Sequence, residues 1–380
     1  MNIHLISQHN SGIGHFRRMA LIAQALSELP EARVFHAVCG VDTAVIPSDE
    51  HVRRIVLPAL QSRSTEDFTL QGLKGESQEE VETERVRMLH RLFEKYPPDL
   101  LMTEMFPFSP ERLSGTLLPV LRLVKKRWPT CKILCSVRDI PICQKEEVPR
   151  KKLELIEALL RDFYHGLLVH GDENLLPLSQ IPAFKSLEFP ETVYTGYLCA
   201  PRIDQGSKSL PNRVLVTIGG GFDGQPVLNA ALTTSRYLPG CGFHMVCGPL
   251  KSKAQRHTLE SSAKDLPNVK IDGMIPSLWE RFPGYTGIVC RGGYNTVTEA
   301  LRHGVSCIVI PGPHSYEQQL RASVLAEKGF VRILHGDGLT PETLTRNLKE
   351  LLSRPSRGKG EINFEGSTQT SHYVRELLKC

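Results

Sequence analysis

At 380 residues the chain is too long for one ordinary hydrophobic core and suits two domains of somewhat under two hundred residues each. Lys and Arg total 46 against 41 Asp and Glu, a mild excess spread along the chain, which argues against nucleic acid as the main partner and favours a small anionic ligand. Ten cysteines without a CxxC pair, several of them inside apolar strand-like runs, exclude a disulfide scaffold and point to free thiols in a reducing cytoplasm.

Met1 to Ile6 passes directly into a strand pattern, without the basic and apolar regions of a signal peptide, so a cytoplasmic protein is expected. No run approaches the roughly 20 apolar residues of a membrane span, and Lys125-Lys126-Arg127-Trp128 allows at most peripheral membrane association. Strand-like runs at 3–7, 33–38, 100–103, 132–137 and 166–169 alternate with helical stretches at 15–29, 78–96, 113–128 and 147–164. That alternation predicts right-handed βαβ units around a parallel sheet in a first domain, residues 1–200. At 201–212 periodicity lapses into Pro, Gly, Ser and Lys, the composition of a linker. Strands at 213–218, 243–246, 269–271, 288–290, 305–310 and 331–334, with helices between them, predict a second doubly wound domain at 213–360. Residues 361–380 predict a C-terminal helix behind a mobile connection, able to pack back on either domain, the N-terminal one included. The expected fold class is α/β, with two facing Rossmann-like doubly wound domains and a cleft between them.

Four segments carry chemistry. The first strand runs into Gly12-Ile13-Gly14-His15, a glycine loop opening a helix; it lacks the third glycine and the later acidic residue of a dinucleotide fingerprint, so NAD is not supported. His15 at the helix start meets the positive end of the helix dipole, which favours the neutral imidazole a general base needs, although a capping role is open too. Gly219-Gly220-Gly221 follows the first strand of the second domain and precedes a helix near Pro226, which lets backbone approach a phosphate. Arg291-Gly292-Gly293 follows an apolar strand and opens a helix near Asn295 and Thr296, a place where an anion is expected. Glu299, eight residues after Arg291 and about one turn into that helix, can accept both hydrogen bonds of a ribose diol. The loop after the next strand, Pro311 to Gln319 with His314, Gln318 and Gln319, presents amide donors and acceptors suited to sugar hydroxyls.

With these segments in order, the second half resembles the nucleotide-sugar domain of GT-B glycosyltransferases of the MurG-like group. The resemblance rests on Cys290-Arg291-Gly292-Gly293, Thr296-Val297-Thr298-Glu299 and Gln318-Gln319. Over nearly the full length the chain is similar to a bacterial family of predicted glycosyltransferases. The shared segments are Gly12 to Arg18, Phe106-Pro107-Phe108, Arg138-Asp139-Ile140, Tyr194 to Tyr197 and Gly292 to Thr296. The resemblance implies a GT-B fold and an inverting, metal-independent transfer of GlcNAc or another hexose from a UDP-sugar co-substrate to an acceptor hydroxyl or amine, with no separate cofactor. The acceptor is implied to be a small molecule or a lipid-linked sugar. Glu299 would hold the ribose, Arg291 with Gly292 and Gly293 the nucleotide and diphosphate, Gly219 to Gly221 the phosphate, and Gln318 and Gln319 the sugar. His15, Glu104 and Asp139 would serve catalysis on the acceptor side. Two other readings stay open: a UDP-sugar hydrolase in which His15 activates water, and a non-catalytic nucleotide-sugar sensor.

Overall fold

The computed structural model describes residues 1–8, 14–39, 50–62, 70–141, 148–202, 212–220, 224–248, 252–355, 358 and 360–379. Two compact units emerge: one takes the chain as far as Leu198 and again from Glu365, the other takes Cys199–Phe364. The first contains β1 (Asn2–Gln8), α1 (Gly14–Ser27), β2 (Arg33–Cys39), β3 (Val52–Leu57), β4 (Leu60–Ser62), β5 (Leu70–Gly72), α2 (Gln78–Lys95) and β6 (Leu100–Glu104). It continues through α3 (Pro110–Arg127), β7 (Lys132–Arg138), α4 (Arg150–Phe163), β8 (Gly166–His170) and β9 (Glu191–Tyr194). Its seven-stranded sheet runs β3-β2-β1-β6-β7-β8-β9, every pairing parallel, with β4 and β5 as a separate hairpin.

Every residue of β6 and the interior of β1 are buried, because a parallel sheet covered on both faces by helices needs continuous apolar runs rather than alternation. Ile3, Leu5, Leu100, Met102, Leu134 and Leu168 from the strands pack with Met19, Ile22 and Leu26 of α1 in one core. Helix α2 starts where Ser77 and Glu80 cap one another reciprocally, a Ser-x-x-Glu box legible in the chain.

The second unit contains β10 (Arg213–Thr217), α5 (Gln225–Tyr237), β11 (Gly242–Val246), α6 (Lys253–Ser262), β12 (Val269–Asp272) and β13 (Gly287–Cys290). After these come α7 (Tyr294–Arg302), β14 (Ser306–Val309), α8 (Tyr316–Glu327), β15 (Val331–Ile333) and α9 (Pro341–Ser353). Its sheet runs β12-β11-β10-β13-β14-β15, again parallel throughout. Val214, Val216, Phe243, Met245, Val289 and Ile308 pack against Leu228 of α5 and Leu344, Leu348 and Leu351 of α9.

A last helix, α10 (Gly366–Leu378), belongs to the first unit. Val374 enters the first unit's core, and Ser371 Oγ donates to the Ala25 carbonyl of α1 at 3.3 Å. Among the described residues no helix is long and apolar enough to cross a membrane, and the eight described cysteines are buried and outside any disulfide.

Candidate active site

In both units the strand order reverses once. The chain winds outward from β1 through β2 to β3 and then restarts at β6 on the other side of β1; likewise β13 restarts beside β10. Loops leaving the carboxyl ends of the two strands at such a point diverge and open a crevice, where open α/β sheets take their ligands. His15, Glu104, Gly219, Gly220 and the Arg291-Gly292-Gly293 turn fall at these two reversals, whereas Asp139 follows the neighbouring β7 and His314, Gln318 and Gln319 follow β14.

In the first unit His15 is the second residue of α1, after β1, and Glu104 is the last residue of β6. His15 Nδ1 lies 2.7 Å from Glu104 Oε1. Arg18, one turn along α1, donates from Nη2 to the same carboxylate oxygen. Burial alone would raise the Glu104 carboxyl, but the charges of His15 and Arg18, the His15 hydrogen bond and the charge of Arg138 outweigh it and hold the group down at about 2. Glu104 is therefore a fixed anion. With Nδ1 committed to it, Nε2 is the ring nitrogen left to take a proton. The His15 side chain keeps 28% of its exposure, against 2% for Glu104 and 3% for Arg18, so a reagent can reach the ring but not the groups behind it.

Behind this pair His170, the last residue of β8, bridges Ser136 Oγ through Nε2 and Thr195 Oγ1 through Nδ1, both at 2.8 Å. Burial, reinforced by the Arg18 charge and opposed by Glu104, pushes its imidazole down to about 3, so it is neutral and accepts from one hydroxyl while donating to the other. Asp139 follows β7, one strand over from β6; its buried carboxylate accepts the Ile140 N–H at 2.9 Å. Gly14 opens α1, whereas Gly12 lies outside the described residues.

In the second unit Gly219 and Gly220 leave the end of β10, and Gly219 has φ +65, open to glycine with little penalty. The backbone passes so close to Gly248 that a Cβ there would meet the Gly219 carbonyl oxygen at 2.0 Å. Gly221 lies outside the described residues, and α5 begins at Gln225, with Pro226 in its first turn.

Arg291, Gly292 and Gly293 leave the end of β13, and Gly293 is the N-cap of α7, which has no side-chain cap. Asn295 and Thr296 form its first turn. Glu299 is the sixth residue of α7, which begins at Tyr294, and so stands a little over one turn into the helix. Its side chain is buried, and Oε1 accepts the Ala200 N–H at 3.1 Å.

The loop after β14 is tied down by the two glutamines. Gln318 Oε1 accepts the Gly312 N–H at 2.9 Å, and Gln319 Nε2 donates to the carbonyls of Gly312 at 3.0 Å and Pro313 at 2.7 Å. These amides thus brace the loop backbone, and His314 at its tip is exposed. Arg291 lies against the same loop: a Cβ on Gly312 would come within 2.5 Å of Arg291 Nη2.

Sequence reasoning did not assign Arg18, Arg138 or His170 to the site, nor Glu317 and Arg321 beneath the Arg291 turn. Arg18 and Arg138 stood inside quoted motifs. Glu317 and Arg321 are spaced i, i+4 as a helical ion pair would be. His170 carried no signal, since it ends an apolar strand.

Residues 215–373 match the Glycosyltransferase family 28 C-terminal domain. An uncharacterized glycosyltransferase of Methanosarcina acetivorans is 22% identical over 304 residues, covering 77% of this chain and 75% of that protein. The UDP-N-acetylglucosamine–N-acetylmuramyl-(pentapeptide) pyrophosphoryl-undecaprenol N-acetylglucosamine transferase of Vibrio campbellii is 27% identical over 176 residues, 44% of this chain and 49% of that enzyme. The chain thus matches about half the length of that peptidoglycan relative. Among solved structures, the glycosyltransferase of kitacinnamycin superposes with a TM-score of 0.63 at 19% identity, covering 99% of this chain and 94% of that one. Phytolacca americana UGT2, complexed with UDP-2-fluoro-glucose and pterostilbene, superposes at 0.62 with 13% identity, covering 100% and 94%. The two parallel sheets are therefore those of the GT-B fold, and the chain is a glycosyltransferase. Over residues 215–373 it is similar to the family 28 C-terminal domain, and it is similar to peptidoglycan N-acetylglucosamine transferases over about half their length.

Proposed function

We propose that the chain transfers a hexose, GlcNAc foremost, from UDP to an acceptor hydroxyl or amine, with inversion at the anomeric carbon and without a metal ion. The observation that carries this reading is the Arg291-Gly292-Gly293 turn at the N-terminus of α7, inside the stretch that matches the family 28 domain. Helix N-terminal N–H groups and an arginine suit a diphosphate.

In this mechanism His15 Nε2 takes the proton of the acceptor, while Glu104 holds Nδ1 and stabilises the imidazolium that forms. The freed lone pair attacks the anomeric carbon from the side opposite UDP. The anomeric C–O bond breaks, and its electron pair leaves on the β-phosphate, where Arg291 and the α7 N-terminus stabilise the charge. Glu299 shares its carboxylate between the Ala200 N–H and the ribose diol, since a carboxylate offers about four lone-pair sites. Gly219 to Gly221 approach the phosphate, Gln318 and Gln319 orient the sugar from the loop they brace, and Asp139 lies on the acceptor side. A small or lipid-linked acceptor fits this scheme equally.

The test is UDP release from UDP-GlcNAc, UDP-glucose and dTDP-glucose, with and without acceptor pools, alongside mass analysis of the acceptors. Release that depends on acceptor, together with a hexose mass increment, supports transfer. Equally fast release without acceptor overturns it in favour of hydrolysis. His15→Ala is expected to lower turnover by about 10²–10⁴ and to leave UDP affinity by calorimetry intact; full turnover in that variant would remove His15 from the mechanism.

A further inference from the structure

The proposed mechanism does not use a buried ion pair of the second unit, Glu317 with Arg321. Both residues sit on α8, and their side chains keep 10% and 1% of their exposure. Arg321 Nη2 donates to Glu317 Oε1 at 2.9 Å, and its guanidinium lies 5.5 Å from the centre of the Tyr294 ring. Its other arm donates from Nη1 to the carbonyl oxygen of Gly292, also at 2.9 Å. Desolvating two charges is expensive, and an apolar pair of the same volume is often as stable or more so, so stability alone is a weak reason for a pair at this place. What the pair does hold is one peptide group.

In a planar trans peptide the carbonyl and the following N–H point in opposite directions. Arg321 draws the Gly292 carbonyl inward, so the Gly293 N–H is turned outward. Gly292 is fixed on its other sides as well. It has φ +78, and a Cβ there would strike Val309 Cγ1 at 2.7 Å and approach the Gln318 carbonyl oxygen at 3.5 Å. Around Gly293, in contrast, a Cβ would meet nothing within 4 Å. The space beside Gly293 is thus open at the N-cap of α7, where the helix dipole is positive.

We infer that Arg321, oriented by Glu317, is the positioning residue of the diphosphate site: it sets the Gly292–Gly293 peptide so that the Gly293 N–H faces a donor phosphate. This rests on the reading of the α7 N-terminus given above. Because the pair is neutral as a whole, its effect is on direction rather than on net attraction. It should appear in affinity for phosphates and be absent from affinity for the nucleoside.

The experiment compares UDP, UMP and uridine by calorimetry on the full chain, with thermal melts alongside. Wild type should prefer UDP to uridine, and Arg321→Met should reduce that preference at least about tenfold, about 1.4 kcal/mol, with uridine affinity unchanged. Arg321→Lys keeps the charge but loses the planar fork and should fall between the two. Arg321→Met strands Glu317 without its partner, so the double variant Arg321→Met, Glu317→Leu, which removes both charges at once, carries the test if the single variant does not fold. A lowered melting temperature with the UDP-to-uridine ratio preserved would reduce Arg321 to a structural residue and overturn the inference. Wild type showing no preference for UDP over uridine would instead overturn the phosphate reading of the turn itself.

Discussion

Replacing Glu104 by glutamine keeps the shape of the side chain and removes the charge that joins His15, Arg18 and Arg138. In the folded protein this carboxyl titrates at about 2 against an ordinary 4.5. At about 1.4 kcal/mol per tenfold change in proton affinity, the gap corresponds to about 3 kcal/mol of folding stability. The folded value is the depressed one, so the contribution is complete above about 4.5 and is lost as pH falls towards about 2. The amide resembles the protonated acid and cannot supply it at any pH. Glu104→Gln should thus be less stable than wild type near neutrality by up to about 3 kcal/mol, the full amount requiring the charge of His15 as well as that of Arg18, or up to about 6–12 °C in melting temperature for a unit of this size. The difference should shrink steadily between about pH 4.5 and 2. Urea denaturation of both proteins at about pH 7, 5, 4 and 3, followed by circular dichroism, measures it. A difference that stays the same from neutrality to about pH 3 would show that the carboxylate is not held by these charges, and the account of an oriented His15 would fall with it.

Gly312→Ala places a methyl against Arg291 Nη2, the far end of a flexible side chain that can swing away. The expected result is a melting temperature nearly unchanged with weaker UDP binding; unaltered UDP affinity would separate Arg291 from the phosphates. Glu299→Ala removes the acceptor of the Ala200 N–H along with the proposed ribose contact. UDP affinity by calorimetry should drop by about 1–3 kcal/mol, and an unchanged value would refute the ribose assignment.

The central strands were legible because burial on both faces writes them as unbroken apolar runs: β1, β6, β13 and β14 were placed within a residue or two. β3 was not, since Val-Arg-Arg-Ile-Val-Leu lies at the sheet edge and uses its charges locally. Arg53 bonds the Tyr96 hydroxyl at 3.1 Å, and Arg54 lies 4.9 Å from the Phe16 ring centre. β9, the opposite edge, is four residues long and half exposed, too short for a period to register. His15 stood out from its loop alone. Its partner Glu104 is 89 residues away, and only the adjacency of β1 and β6 brings the two together. Gln318 and Gln319 read as sugar-facing amides, but composition cannot say whether an amide turns outward or back onto its own loop, and here both bond to that loop.

The membership of α10 in the first unit makes the second unit an insertion between β9 and the final helix. In synthesis order, the 1–198 segment leaves the ribosome with its α1 surface still uncovered, and its missing piece follows only after Cys199–Phe364 has been made. At typical elongation rates that wait is on the order of ten seconds or more. Throughout it the seat for Val374, in the cluster of Met19, Ile22 and Leu26, presents bare apolar side chains to solvent. The second-made unit can therefore finish folding before the first, and a chain stalled before residue 365 would carry a complete second unit on an incomplete first one, an apolar surface of the kind that chaperones recognise.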